Sequence, residues 1–580
     1  MAASNTLSTR WTRFMNRVQA RRAAWARPAT AFVSSPEPRT IGSFAKGRQL
    51  CAGNFLFAGY LLENQDAQMW DLQPPDDAFA SELHGFAWLD DLAAVGDGAA
   101  REVAQNWLWG WIDRYGRGSG PGWTPDLTGR RLIRWINHAL FVLNAQDAAR
   151  SEAFYRSLAA QTLFLGKRWD ASHPGLPRFE ALTGLIYAGL SLEGMQDYVG
   201  PAVRALAGEC DAHIGNDGLL PTRNPEELLE VFTLLTWAAT ALSEAGQSPG
   251  DAHWRAIERI APTLRTLRHS DGGLARFHGG GRGLEGRLDN ALASSGVKQR
   301  SADGLSMGYA RLSAGRTSVI IDASPPPSGP ASLAAHASTL AFELTSGRRP
   351  LIVNCGSGET FGADWRRAGR ATPSHSTLVL AGESSARLGP TGPQEEWLVG
   401  GPKTVPIQLS HASDGLRFEG GHDGYQTRFG LVHARTIEMT FDGRGIAGED
   451  MLLAIEDPDK RRFDKAVDST QLAGIKYQIH FHLHPDADAA LDMDGAAVSV
   501  ALRSGEIWVF RHDARAEITL EPSVYLEKGR LKPRATKQIV LSGRTMEYQA
   551  RIRWSLAKAQ DTPISIRDLT QDAPYADPED

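Results

Sequence analysis

Between about residues 80 and 270 the apolar positions recur every three to four residues, the spacing that gathers them on one face of a helix. REVAQNWLWGWIDRYG, RLIRWINHALFVLNA, SEAFYRSLAAQTLFLGKRW, FEALTGLIYAGLSLEG and EELLEVFTLLTWAATALSEAG each read as an amphipathic helix, and breakers such as GRGSGPG and SHPGLP separate them. Helices of similar length with short links predict antiparallel hairpins, as in a bundle or an α/α toroid. From about residue 305 the period drops to two. TSVIID, STLAFELTS, PLIVNCG, STLVLAG, TRFGLVHARTIEMTF, YQIHFHLH, AVSVAL, EIWVFRH, EITLEP and QIVLSG are short β-rich runs cut by Gly, Asp, Asn and Pro turns. So many runs with no helix between them predict stacked antiparallel sheets. The fold class is therefore multidomain α + β, N-terminal helical hairpins in a bundle or α/α toroid followed by a C-terminal antiparallel β-sandwich. HGGGRGLEGRLDNALASSG, at 278–296, is the natural linker. The expected divisions are a basic, partly disordered leader (1–45), a helical domain (46–290), a sandwich domain (291–560) and an acidic tail (561–580).

A length of 580 residues exceeds what one hydrophobic core organises, which agrees with this division. A net charge of −5 offers no general attraction to nucleic acid. A local basic excess runs from Arg10 to Arg48, where Glu37 is the only acid; it reads as a solvated leader or as a surface- or partner-binding arm. Three distant cysteines, Cys51, Cys210 and Cys355, make neither a disulfide framework nor a zinc-thiolate site. The first thirty residues carry arginines instead of the apolar core of a secretory signal, and no apolar run reaches the roughly 18 residues that span a bilayer. The cytoplasm is the expected compartment, with the periplasm or cell envelope as the alternative.

Twelve of the sixteen tryptophans precede residue 290, and Trp107, Trp109, Trp111, Trp123 and Trp135 are crowded together. A tryptophan trough suits the apolar face of a sugar, and packing between helices uses the same residues. Trp107 and Trp111 share a helix face from which Trp109 points away, so at most part of the cluster lines one groove. Trp135, Asn137 and His138 lie on a segment whose Arg130, Arg131 and Arg134 give it a basic face, and are candidate substrate contacts.

HASTLAFELTSGRRPLIVNCGSG (336–358) followed by WRRAGRATPSHSTLVL (365–380) resembles the central signature of the heparinase II/III-like family. In that family a His opens a strand of the type H-x-D-x-x-x-F, a "pLIvD-G" strand follows, and a Trp-Arg segment precedes an H-N-T/S strand. GHDGY (421–425), VHARTIEM (432–439), GED (448–450) and FHLHP (481–485) resemble its later sandwich strands, and FEALTGLIYAGL (179–190) and RNPEELLEVFTLL (223–235) its cleft-lining helices. The resemblance covers roughly residues 50 to 560. It implies an α/α toroid plus β-sandwich and β-elimination on an acidic, uronate-containing polysaccharide or oligosaccharide. In that chemistry a base takes the C5 proton, an acid protonates the leaving O4, and the neighbouring carboxylate is neutralised.

Carried over residue by residue, the resemblance makes His336, Asn354 and His375 the equivalents of a His-Asp-His zinc site, with Asn in place of the charged ligand. No cofactor is demanded, and this single zinc is the one candidate; a hydrogen-bonded polar cluster is its alternative. Ala334 stands where some lyases carry a catalytic His, Leu176 and Pro177 stand at the Asn-His positions beside Arg178, and Glu227 occupies the tyrosine position of an R-S-P-x-Y-H-like segment. The candidate catalytic set is therefore His336, Glu227 and Arg178. Arg366, Arg367 and Arg370, in a loop that the family places over the cleft, are candidate carboxylate or sulfate ligands. Glu180, Glu226 and Glu227 are the carboxylates for hydrolysis on the same scaffold, although Glu226 and Glu227 diverge by about 100° and one of them is expected to cap its helix. His480, His482 and His484 share a strand face spaced for a metal or for packing. Three functions stay open: a lyase with intact or lost catalysis, a non-catalytic carbohydrate-binding protein of envelope or exopolysaccharide metabolism, and a glycoside hydrolase.

Overall fold

In the computed structural model, residues 7–25, 29–34, 37–63, 69–299, 304–390, 392 and 394–559 are described; the expected acidic tail lies outside them. Helices fill the N-terminal half. After Leu7–Ala23 the principal ones are Gly98–Tyr115, Pro125–Asn137, Ala148–Arg168, Leu176–Ser191, Val199–His213, Pro225–Glu244 and Asp251–Thr266. Their starts are set locally, because the side chains of Asp97, Asp147 and Asn224 each accept a backbone N–H of the first turn, and Pro125 and Pro225 hold first-turn positions that have no N–H to waste.

Two of these helices approach unusually closely. A methyl group on Gly129 of Pro125–Asn137 would lie 2.2 Å from the carbonyl oxygen of Glu180, and one on Gly184 would lie 2.4 Å from the Gly129 α-carbon. Leu176–Ser191 is buried almost all round, from Phe179 to Ser191, as an inner helix of a toroid is.

The crowded tryptophans Trp107, Trp109, Trp111, Trp123 and Trp135 are core. Trp111 and Trp135 are wholly buried, and Phe86, Trp111, Trp135 and Phe154 form a continuous set of edge-to-face and stacked rings. Of the two readings packing holds: no sugar trough is built from them, and Trp135 cannot be a substrate contact.

The C-terminal half is two eight-stranded sheets. One runs Ile407–His411, Gly415–His422, Val432–Thr440, Gly445–Leu453, Gln549–Lys558, Ile507–His512, Ala497–Leu502 and Ala487–Asp492 in spatial order. The other runs Glu517–Tyr525, Arg534–Thr545, Ile475–Leu483, Arg349–Val353, Phe342–Ser346, Thr317–Asp322 and Tyr309–Ala314, with Leu378–Leu380 also paired to Ile475–Leu483. Strict alternation of burial along Val432–Thr440 shows the period-two signal at work. Between the sheets, Phe342, Phe481, Phe510 and Trp554 stack into one core.

Four expectations need correction. The leader holds a helix, Leu7–Ala23, whose Asn16 accepts a bond from Arg168 Nε at 2.8 Å, so it is docked on the body. The stretch 278–296 is no linker: His278 is buried, and Leu288, Ala291 and Leu292 of the helix Arg287–Ser295 enter the helical core. The sandwich half does contain helices, at Ala363–Arg370, Gln426–Phe429 and Asp457–Ser469. Arg366, Arg367 and Arg370 therefore stand on a helix and not in a loop. None of the described helices is long and apolar enough to cross a membrane.

Candidate functional site

The two halves meet around Arg223 and Asp322. Arg223, just before the helix Pro225–Glu244, adopts a left-handed φ of 50°. Its guanidinium bonds Asp322 at 2.6 Å and the carbonyls of Met307, Gly308, Ser324 and Pro325, while its own carbonyl accepts the Tyr309 hydroxyl at 2.6 Å. These partners hold a conformation that a non-glycine residue otherwise avoids. Burial pushes the Asp322 carboxyl up, but Arg223 and then His278 more than offset it and hold it well below the usual carboxylate range. Ser338 donates a further bond to Asp322 at 2.7 Å.

A chain of imidazoles continues from Asp322. His278 Nε2 lies 3.4 Å from the carboxylate, too long and poorly aligned for a good hydrogen bond. His278 Nδ1 accepts the backbone N–H of His336 at 3.1 Å, which puts its proton on Nε2, facing Asp322. His375 Nδ1 donates to the Ala371 carbonyl at 2.8 Å, so its Nε2 accepts the Nδ1–H of His336 at 3.0 Å. Burial lowers the pKa of all three: His375 to about 4, and His336 well below the ordinary imidazole value, with His375, His278 and Arg370 adding to the effect. The cluster is neutral at neutral pH.

His336, Asn354 and His375 thus lie together, but as donor set they do not fit a zinc ion. The two imidazoles bond each other directly. Asn354 Oδ1 accepts the Ser376 N–H at 3.0 Å, and its Nδ2 faces Glu343 at 3.4 Å. Among the described residues no group of three or more His, Cys, Asp or Glu is arranged to hold a metal. His336, Asn354 and His375 are instead part of a hydrogen-bonded polar cluster.

The remaining catalytic candidates have separate partners. Arg178 bonds Glu209 at 3.2 Å and the carbonyls of Ser172 and Asp170, which braces the turn before its own helix. Glu227 is half-buried, and desolvation lifts its pKa, with Thr222 and Lys528 pulling it back in part; its carboxylate faces Gly175. Glu226 does not cap the helix, since Asn224 does; it accepts the Gly281 N–H and pairs with Lys528 across the domain boundary. Glu180 is gripped by Arg130 through two bonds of 2.8 and 3.0 Å and is not free to act on a glycosidic bond. Among the described residues no hydrogen bond or ion pair joins any two of Arg178, Glu227, His336 and Arg366.

The arginines of Ala363–Arg370 divide. Arg370 is buried and donates to the carbonyls of Ser332, Ala335 and Glu396 and to the Glu396 carboxylate, which makes it a clamp on the segment before His336 and not a ligand for substrate. Burial and the neighbouring Arg366 lower its pKa to about 10. Arg366 pairs with Glu396 at 3.0 Å and bonds the Leu333 carbonyl, whereas Arg367 is exposed. In the toroid, His138 bonds Asp90 at 2.9 Å and Thr40 at 3.1 Å and so ties the N-terminal segment down. Asn137 is buried with neither amide atom bonded to protein. On the strand Ile475–Leu483, His480 bonds Gln538, and His482 bonds Ser523 and the Pro373 carbonyl; His484, next in line, faces Asp486 at 3.7 Å. These three serve packing.

Sequence reasoning missed Arg223, Asp322, His278 and Arg276, which form the boundary between the halves. The available signals were an acid ending the apolar run TSVIID and a His before the glycine run of HGGGRG.

Residues 296–555 match the family described as heparinase II/III-like, C-terminal. Over 554 residues, 93% of this chain and 92% of the other, the sequence is 32% identical to FtsZ-localized protein C of Caulobacter vibrioides. The chain belongs to the heparinase II/III-like family. Among solved structures, heparinase III superposes with a TM-score of 0.68 at 14% identity, over 94% of this chain and 89% of that one. A heparan sulfate lyase of Pedobacter heparinus superposes with a TM-score of 0.54 at 14% identity, over 95% and 89%. The scaffold, helical toroid plus sandwich, is that of a polysaccharide lyase.

Proposed function

We propose that this chain keeps the glycan-lyase scaffold without the elimination reaction, and that it localizes with FtsZ as its Caulobacter relative is named for doing. The observation that carries the first part is the pairing of His336 with His375 in a sealed cluster, with Glu227 at the tyrosine position and Leu176 and Pro177 at the Asn-His positions. Elimination needs a base at C5, an acid at O4 and a neutraliser for the carboxylate, all converging on one sugar. Arg178 is engaged with Glu209, Arg370 with Glu396 and backbone, and His336 with His375. The 32% identity over nearly the whole of both chains supports the second part. Acidic glycans are the ligand class the scaffold suits, with the exposed Arg367 the freest of the candidate contacts.

The test has two arms. Purified chain incubated with a panel of uronate polysaccharides is expected to give neither the near-ultraviolet absorbance of an unsaturated uronate nor new reducing ends. A fluorescent fusion is expected to coincide with FtsZ and to become diffuse when FtsZ is depleted. Turnover of any uronate glycan sinks the first part, and a fusion indifferent to FtsZ sinks the second.

One observation favours a second reading. Glu227 is half-buried beside Gly175 with its pKa raised by desolvation, as a carboxylate base requires. Under that reading the near-ultraviolet product appears, and Glu227→Gln abolishes it.

A further inference from the structure

The outer strand of a sheet offers a row of free backbone groups, and natural proteins blunt it so that no other chain adds to it. Three of the four outer strands of the two large sheets are blunted here. Tyr309–Ala314 is buried over most of its length, and its Arg311 reaches to the toroid, donating to the carbonyls of Thr266 and Arg268. Glu517–Tyr525 carries Glu517, Glu521 and Pro522. Ala487–Asp492 carries Asp488 and Asp492, and Lys537 Nζ donates to the Ala489 carbonyl at 2.6 Å. Ile407–His411 has none of these devices: IQLSH contains no Lys, Arg, Asp, Glu or Pro.

The backbone of this strand is open on one side. The Ala412 N–H bonds the Gly415 carbonyl and the Gly421 N–H bonds the Pro406 carbonyl, so the positions bonded to Gly415–His422 are the even-numbered ones. Ile407, Leu409 and His411 therefore point both N–H and C=O away from the sheet, and among the described residues nothing bonds them there. The side chains of Ile407 and Leu409 pack on the sandwich core but stay half-buried, because the described sheet ends with them. Asp423 fixes the approach to the strand by accepting the N–H groups of Lys403 and Thr404. The edge is thus pre-formed for the backbone of another chain.

That edge also fits itself. Antiparallel pairing of two copies about Leu409 sets each Leu409 opposite the other and Ile407 opposite His411, and all six outward groups of each strand then find a bond. Gln408 meets Ser410 on the outer face, and no like charges are brought together. Lys403 and Asp414, exposed at opposite ends of the strand, come alongside each other's counterpart in the second copy, so opposite charges close both ends of the pair. We propose that the chain forms a two-fold dimer by joining Ile407–His411 to the same strand of a second copy, so that one sheet runs through both sandwiches. The dimer is independent of whether the sandwich half retains any glycan chemistry.

The experiment is sedimentation equilibrium of the full chain over a range of concentrations. Wild type is expected to approach the mass of two chains at the upper end and of one chain on dilution. Leu409→Pro removes an N–H that bonds nothing within the sheet, and Gln408→Lys with Ser410→Lys sets like charges opposite each other across the pair. Each is expected to raise the dimer dissociation constant about tenfold or more. The lysine variant should melt as wild type does, because Gln408 and Ser410 face away from the sandwich core; should Leu409→Pro melt early, the lysine variant decides. Leu409→Cys is expected to link two chains on mild oxidation where wild type does not, since α-carbons paired in this way lie about 5.5 Å apart, within the reach of a disulfide. Wild type that stays monomeric at every concentration, leaving the edge to an extended segment of a different protein, overturns the proposal. So does a dimer that a natively folded lysine variant leaves unmoved.

Discussion

His336 Nδ1 and His375 Nε2 lie 3.0 Å apart and share one proton, in the place where the resemblance to zinc-bearing relatives puts a metal ion between two imidazoles. Each ring then has a fixed tautomer, set at the far end by the Ala371 carbonyl. The cluster is complete without a metal because Asn354 is itself satisfied by Ser376 and Glu343.

Purified protein should accordingly carry no stoichiometric zinc, and a chelator should leave its melting temperature where it was. Elemental analysis of freshly prepared protein, with thermal melts before and after chelation, checks this. One zinc per chain lost together with several degrees of stability would show that the hydrogen-bonded arrangement is wrong.

Arg223→Ala should destabilise strongly, since it leaves the Asp322 carboxylate buried and opposite only a neutral imidazole. Breaking a buried pair from one side costs about 3–5 kcal/mol. Urea unfolding measures it, and a loss under about 1 kcal/mol would mean that water reaches Asp322.

Gly129→Ala should be tolerated far less well than an alanine on an exposed helix face. Its methyl group meets the Glu180 carbonyl at 2.2 Å, so the two helices must part. Overpacking of this kind costs about 1–3 kcal/mol, and the shift of the unfolding midpoint reports it.

Stability should fall on mild acidification. His84, His253, His375, His480 and His482 are pushed by burial to about 3, 4, 4, 4 and 4, below the value of about 6.5 in an unfolded chain. Between about pH 6.5 and 4 the unfolded state binds protons that the folded state refuses, so unfolding becomes easier as pH drops. Asp322 and Asp450, whose folded pKa values are depressed, add a further loss that starts as pH falls into the ordinary carboxylate range and continues below it. Denaturation midpoints at pH 7, 6 and 5 should decline in that order; a flat series would contradict the burial of these imidazoles.

Much of the architecture was legible in the chain because helix and strand periods are properties of neighbours in sequence. The strand Val432–Thr440, alternating without a break, needed no knowledge of the rest of the fold. The site was less legible, because its partners are far apart. Nothing near Arg370 in the sequence says that the carbonyls of Ser332, Ala335 and Glu396 will use up its guanidinium, and nothing near Trp135 says that Phe86 and Phe154 will enclose it. The helix Leu7–Ala23 was obscured for another reason: its arginines read as a solvated leader, and the small residues that dock it give almost no apolar signal. Asp457–Ser469 was hidden likewise, having only Phe463 and Val467 as buried apolar anchors among its charges.

The bonds that radiate from Arg223 also govern how the molecule comes apart. The family match starts at residue 296, yet Asp322 and Glu343, both inside it, take their partners from Arg223, His278, His269 and Arg276, all outside it. Excising the matched piece would strip two interior carboxylates of these partners and leave them facing water. The sandwich is therefore not a module that evolution or an experimenter can lift away intact, and the two halves should melt together in one transition.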